Sequence, residues 1–185
     1  MFKIVQMSHI LIKEFLKAHQ NKKLTLIDAT SGMGNDSLFI AQNLNNQSKL
    51  YCYDIQSEAI VTTNQLLLKN NINNVTLFLD SHENIKNNNV DLIIFNLGYL
   101  PTKDKNITTN AIVTLNTIKK LLLNNPNITI IIVVYPGHEE GLKESILLED
   151  YVLNLEANKY LVSKYQNYNQ NKSPYILTIS KKGSI

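Results

Sequence analysis

The chain has 185 residues, 18 lysines and arginines against 15 acids for a net charge of +3, and 44% hydrophobic residues. With a mass of 21.1 kDa, a pI near 8.8 and a mean hydropathy of -0.13, it is expected to fold as one soluble globular domain over residues 1–185, long enough for a substantial core. The single cysteine, Cys52, excludes a disulfide framework and a thiolate metal site, and the longest apolar run, residues 128–135, is too short to span a bilayer.

No basic-then-apolar leader opens the chain, so cytoplasmic residence is expected, with no membrane and no metal. All the cations are lysines, which meet phosphate as point charges, and the mildly basic balance permits a polyanionic partner.

In chain order, residues 7–18 place Ile10, Leu11, Phe15 and Leu16 among Lys13, Glu14 and Lys17, an amphipathic helix ahead of the first strand. His9 and His19 read as surface or packing histidines. Residues 24–27 form a short β-branched strand ending at Asp28. From Asn35 the period becomes helical through Leu38, Phe39 and Ala41, to about residue 44. A second strand, 50–53, holds Cys52 as a buried structural thiol and stops at Asp54. A helix over 57–69 follows, with Ala59, Ile60, Leu66 and Leu67 as its buried face.

Strands at 75–79 and 90–95 come next, the latter apolar enough to be buried on both faces. A loop opens at Asn96 and runs to about residue 108. After it come a helix from about 109 to 123, a fifth strand over 128–135 and a helix over 141–153. Two closing strands, 160–165 and 175–180, flank a polar turn and form an antiparallel pair. Asparagine-rich stretches at 43–46, 70–74 and 87–89 read as turns and helix ends.

Five strand–helix units in alternation specify an α/β fold, a mostly parallel sheet with helices on both faces and its ligand at the carboxyl ends of the strands. Polar clusters at 32–36, 54–56, 80–82, 96–104 and 136–138 each follow a predicted strand, so they are expected to meet along one rim. Gly32 and Gly34 let the backbone approach a ligand, and the helix start beyond them presents free N–H groups. Asp54 lies about 20 residues past the glycines, where a ribose diol is gripped in dinucleotide-type folds. A dinucleotide fingerprint wants a third glycine at position 37, and this chain has Ser37. Asp28 offers a second carboxylate, suited to an ammonium group. An amino acid joined to adenosine, such as S-adenosylmethionine, uses both acids, whereas NAD leaves Asp28 without a task.

The ordered set DATSGMGNDSLFIA, YDIQSEAI, DSHENI, FNLGYLPTKDKNITT and YPGHEEG, with the closing YQN and SPYILTISK, resembles the small class I S-adenosylmethionine-dependent methyltransferases grouped as rRNA methylases. Within them it is similar to the bacterial tRNA 5-(aminomethyl)-2-thiouridine methyltransferases, over nearly the whole chain. The resemblance implies a Rossmann-like fold with a C-terminal antiparallel strand pair, S-adenosylmethionine as cofactor and a tRNA anticodon stem-loop as partner. It implies that Gly32, Gly34, Asn35 and Asp36 surround the methionine part of the cofactor. Asp54 and Gln56 then meet ribose and adenine, Ser81 and His82 lie on the adenine side, and NLGYLP borders the transferring methyl. This chain departs at Met33, usually asparagine, which removes a polar contact, and at Thr102-Lys103, commonly a glycine pair, which stiffens the loop.

Methyl transfer to an amine needs an aligned neutral nucleophile and an acceptor for its proton. Asn96 is the expected acceptor at the fourth strand's end, Tyr99 the stacking aromatic, and Asp104 and His138 the candidates for moving the proton. Lys103 and Lys105 are expected to track phosphates, while Lys143, Lys164 and Lys172 read as solvated surface. A compact domain leaves RNA recognition to the loops over the pocket and to a second subunit, a homodimer being a candidate state. The alternatives are a methyltransferase acting on rRNA or a small metabolite, an NAD(P)-binding oxidoreductase, and a non-catalytic RNA-binding protein.

Overall fold

The computed structural model describes residues 3–86, 88–98, 111–170 and 172–182. Its elements are helix α1 (Ile4–Ala18), strand β1 (Thr25–Asp28), α2 (Asn35–Asn43), β2 (Lys49–Asp54), α3 (Ser57–Lys69), β3 (Val75–Leu79), a 3-10 turn (His82–Asn84) and β4 (Leu92–Asn96). Then follow α4 (Ala111–Asn124), β5 (Thr129–Val134), α5 (Glu139–Leu153), β6 (Tyr160–Gln166) and β7 (Tyr175–Lys181).

The strands form one sheet in the order β3-β2-β1-β4-β5-β7-β6. The first five pair in parallel, and β7 runs antiparallel to both β5 and β6. This is the mostly parallel Rossmann-like sheet with a C-terminal antiparallel pair that the alternating pattern predicts. The register is what positions the site. Asp28 lies beside Cys52, Asp54 beside Leu79, and Asn96 beside Val133, so the polar strand ends share one rim.

The continuous apolar character of β4 follows from its place in the middle of the sheet. Ile93 and Phe95 pack with Ile118 and Leu121 of α4 and Leu148 of α5 on one face. Leu92 and Ile94 pack with Ile12 of α1, Ile40 of α2 and Leu67 of α3 on the other. Ile93, Ile94 and Phe95 have no exposed surface, and burying each contributes roughly 1.5–3 kcal/mol relative to exposure. Cys52 is likewise fully buried, on β2.

Helix α1 begins three residues earlier than its periodicity predicts and is turned about its axis. Ser8, Ile12 and Leu16 are its buried line, with Ile10 and Leu11 only half-buried. The buried serine is tolerated because its hydroxyl donates to the Val5 carbonyl at 2.8 Å. Helix α5 starts at Glu139, two residues before its expected start, because His138 Nδ1 accepts the Gly141 N–H at 3.1 Å and caps it. The 3-10 turn after β3 is opened by Ser81, whose Oγ accepts from the Glu83 N–H. Among the described residues no helix is long and apolar enough to cross a membrane.

Candidate active site

The carboxyl ends of the parallel strands open onto a cavity of about 760 Å³, within the size range of small-molecule sites. Gly32, Asn35 and Asp36 line it from the β1–α2 turn, Asp54 and Gln56 from the end of β2, and Ser81 and His82 from beyond β3. Asn96, Leu97 and Gly98 line it from β4, and Tyr135 and His138 from the end of β5. Tyr99, Lys103, Asp104 and Lys105 lie outside the described residues.

Asp54 stands at the strand end as expected, and two backbone groups orient it. The Gly32 N–H donates to its Oδ2 and the Gln56 N–H to its Oδ1, both at 2.9 Å. Each carboxylate oxygen retains a lone pair for a diol, so the residue fits a ribose. His82 is buried, edge-on to Phe95 with ring centroids 5.5 Å apart. Burial pushes its pKa down, against a hydrogen bond to the Ala29 backbone that pushes it up. Its Nε2 is buried without a partner among the described residues.

Two predicted cofactor residues do other work. Asp28 has no exposed surface and does not line the cavity. Its Oδ2 accepts from Ser37 Oγ at 2.5 Å and its Oδ1 from the Thr30 N–H at 3.2 Å. Burial, helped by the charges of Asp36 and Asp54 and opposed by these two hydrogen bonds, raises its pKa to about 7. The carboxyl is a buried tie between β1 and α2, and it does not favour S-adenosylmethionine over NAD. Ser37 stands where a third glycine was wanted because its hydroxyl satisfies that carboxyl.

Gly34 is also absent from the lining. It takes a left-handed conformation, φ 79°, and a Cβ there would come within 2.9 Å of Thr63 Oγ1. It therefore serves the approach of the turn to α3, and not to a ligand.

Asp36 is nearly buried at 7% exposure. Its Oδ1 meets His9 Nε2 at 2.6 Å and its Oδ2 accepts from Asn96 Nδ2 at 2.7 Å. Because the carboxylate is acceptor-only, the Asn96 amide must turn its nitrogen toward Asp36. Asn96 Oδ1 is then left buried and without a partner among the described residues. The Asn96 backbone N–H is held by Thr30 Oγ1 at 2.8 Å.

Three lining or linked residues escape the sequence reading. Tyr135 sits near Asp36, and its pKa is raised by burial first and by that charge second. Glu144 lines the cavity from α5 at 4% exposure, with Oε1 accepting from Thr114 Oγ1 at 3.0 Å. Burial raises its pKa to about 7. Its position three residues after Gly141, on the helix face that turns inward, was the available signal. His9 is the third. Lys143 is bound by Glu139 and Glu140, and Lys164 by Glu149, in keeping with a solvated surface. Among the described residues no group of three His, Cys, Asp or Glu side chains is placed to hold a metal ion.

The family described as "Putative rRNA methylase" matches residues 50–181. A chloroplastic protein of Arabidopsis thaliana named tRNA (mnm(5)s(2)U34)-methyltransferase is 30% identical, the match covering 97% of this chain and 70% of that protein. A Clostridium thermocellum crystal structure described as a putative rRNA methylase superposes with a TM-score of 0.87 at 30% identity, covering 98% of both chains. A Streptococcus mutans methyltransferase solved in complex with SAH superposes with a TM-score of 0.81 at 34% identity, covering 98% of this chain and 99% of that one. The extent of the family match and the breadth of these similarities place the chain in the "Putative rRNA methylase" family of class I methyltransferases, and it is an enzyme that uses S-adenosylmethionine.

Proposed function

We infer that the protein methylates the aminomethyl nitrogen of 5-aminomethyl-2-thiouridine at the wobble position of tRNA. The observation that carries this reading is Asn96 Oδ1, a buried acceptor at the end of β4 with no partner among the described residues. It suits an amine nucleophile that must present an N–H while its lone pair attacks. The name of the Arabidopsis relative, similar over 97% of this chain, supports this nucleoside over rRNA or a small metabolite.

When bound, S-adenosylmethionine supplies an electrophilic methyl on a sulfonium that departs as a neutral thioether. The chain's part is to hold the acceptor nitrogen in line, roughly 3–3.5 Å from that carbon, and to take its proton. Asp54, Gln56, Ser81 and His82 would seat the adenosine end of the cofactor, and Gly32, Asn35 and Asp36 the amino-acid end. A new N–C bond forms as the C–S bond breaks, and the nitrogen sheds one proton.

Glu144 is suited to receive that proton, since it lines the cavity and its pKa of about 7 leaves it half-ionised near neutrality. His138 is less suited. Its Nδ1 lone pair is used by the Gly141 N–H, so its neutral ring carries hydrogen on Nε2 and faces a substrate as a donor. Tyr99 would stack on a base, Lys103 and Lys105 would meet phosphates and Asp104 would act near the amine.

The test is incubation with S-adenosylmethionine and an anticodon stem-loop bearing the aminomethyl nucleoside, read by nucleoside mass spectrometry. A gain of one CH2 on that nucleoside is expected. No gain there, with methylation of an rRNA fragment instead, overturns the substrate. Glu144→Gln is expected to lower kcat about 100-fold and to abolish its rise as pH passes about 7. An unchanged pH profile removes Glu144 from the proton path.

A further inference from the structure

His9 lies on α1, ahead of the first strand of the nucleotide-type fold, yet two hydrogen bonds connect it through Asp36 to Asn96, the proposed hydrogen-bond acceptor for the amine. Its Nε2 meets Asp36 Oδ1 at 2.6 Å, and Asp36 Oδ2 takes the Asn96 Nδ2 hydrogen at 2.7 Å. The imidazole is also stacked face to face on Phe39 of α2, with centroids 3.9 Å apart and planes 6° from parallel. Its side chain keeps 23% exposure while that of Asp36 keeps 9%, so the chain of bonds runs from the surface inward.

An asparagine amide is nearly symmetric in shape, and only its partners decide which end is the acceptor. Here the decision rests on Asp36. A carboxylate on the second residue of a helix has rotamers to choose from, and one bond to Asn96 does not select among them. The His9 bond occupies the other oxygen and leaves a single rotamer that serves both partners. Without it, Asp36 is free to turn toward solvent, and Asn96 is free to present its NH2 to the cavity. An NH2 there faces the hydrogens of an amine nucleophile instead of accepting one.

We propose that His9 is a positioning residue for methyl transfer, acting through Asp36 to hold the Asn96 amide with its oxygen toward the acceptor nitrogen. This rests on the reading of Asn96 given above. It makes α1, which the sequence pattern marks only as a covering helix, part of the active-site construction.

The experiment compares His9→Phe, His9→Gln and Phe39→Leu in the full chain. His9→Phe keeps a ring on Phe39 and loses the donor, whereas His9→Gln keeps an N–H donor and loses the ring. Each is measured for kcat and KM on the aminomethyl stem-loop, for S-adenosylmethionine affinity by calorimetry, and for the Asn96 side-chain amide signals by 15N NMR, assigned with Asn96→Ala. His9→Phe is expected to lower kcat about 10- to 100-fold, to lower cofactor affinity by much less than that even though Asp36 is placed at the cofactor's amino-acid end, and to shift the Asn96 amide pair. His9→Gln and Phe39→Leu are expected to keep most of the turnover and an amide pair near the wild-type position. Equal losses in His9→Phe and His9→Gln, a parallel loss of cofactor affinity, or wild-type behaviour of His9→Phe would each overturn the proposal. If the wild type leaves the aminomethyl nucleoside unmodified, the substrate reading falls. An Asn96 signal that still answers to His9→Phe then keeps the positioning, and one that does not removes it.

Discussion

A carboxyl group with no exposed surface, as at Asp28, links protonation to folding. Its pKa is about 7 in the folded protein against 3.8 when unfolded. Raised in this way, the folded state binds the proton more tightly than the unfolded chain. The stabilising contribution is full below about pH 4 and is lost as pH climbs through about 7. Asp28→Asn should therefore flatten the fall in stability between those limits, read as denaturation midpoints at stepped pH, and an unaltered pH dependence would show that Asp28 is not the group responsible. Glu144 titrates in the same range, so some slope remains in the variant. The place of Asp28 at a strand end was legible in the run of apolar residues before it. Its direction was not, because whether a strand-end carboxylate faces a ligand or lies beneath the next helix is decided by that helix. Ser37, a hydroxyl where glycine was wanted, carried the information. His9 was passed over for a related reason, since no periodicity reveals that a histidine on one helix meets an aspartate 27 residues later.

Helix α2 begins at a turn pressed against α3, and that contact governs what residue 34 can be. Gly34 has φ 79°, and an added Cβ would meet Thr63 atoms at 2.9 to 3.1 Å, backbone among them. Left-handed strain and overpacking act together, so Gly34→Ala should destabilise the protein by about 3 kcal/mol. A denaturant titration reads this directly, and a loss below about 1 kcal/mol would mean that the turn adjusts freely. The Thr63 hydroxyl also donates to the Gly32 carbonyl at 3.1 Å, so movement here displaces a cavity wall. The predicted limits of α3 and β3 agree with the structure residue for residue, because Ser57 and Asn70 bound one cleanly and Asp80 ends the other. Those of α1 and α5 do not, since a cap made by a histidine nitrogen leaves little mark in a sequence. At α1, half-buried residues blurred the line of deep burial, and the 3-10 turn is too short to have a period of its own.

The arrangement of the whole molecule was the most readable level. Alternating strands and helices with polar residues after each strand require the strand ends to share a rim, and the order β3-β2-β1-β4-β5 places them there. The position of β7 was not readable, because an antiparallel pair can join a sheet by either member. It lies between β5 and β6 although it is translated after both. During biosynthesis, Ile130, Ile132 and Val134 of β5 must therefore wait with one row of backbone groups unmatched until residues 175–181 leave the ribosome. A chain ended at residue 170 is expected to precipitate where the full chain stays dispersed, as light scattering would report, and a clear solution would mean that another segment shields β5. Nearly every cofactor residue is already made by then, so what an interrupted synthesis yields is a sticky polypeptide and not a weaker enzyme.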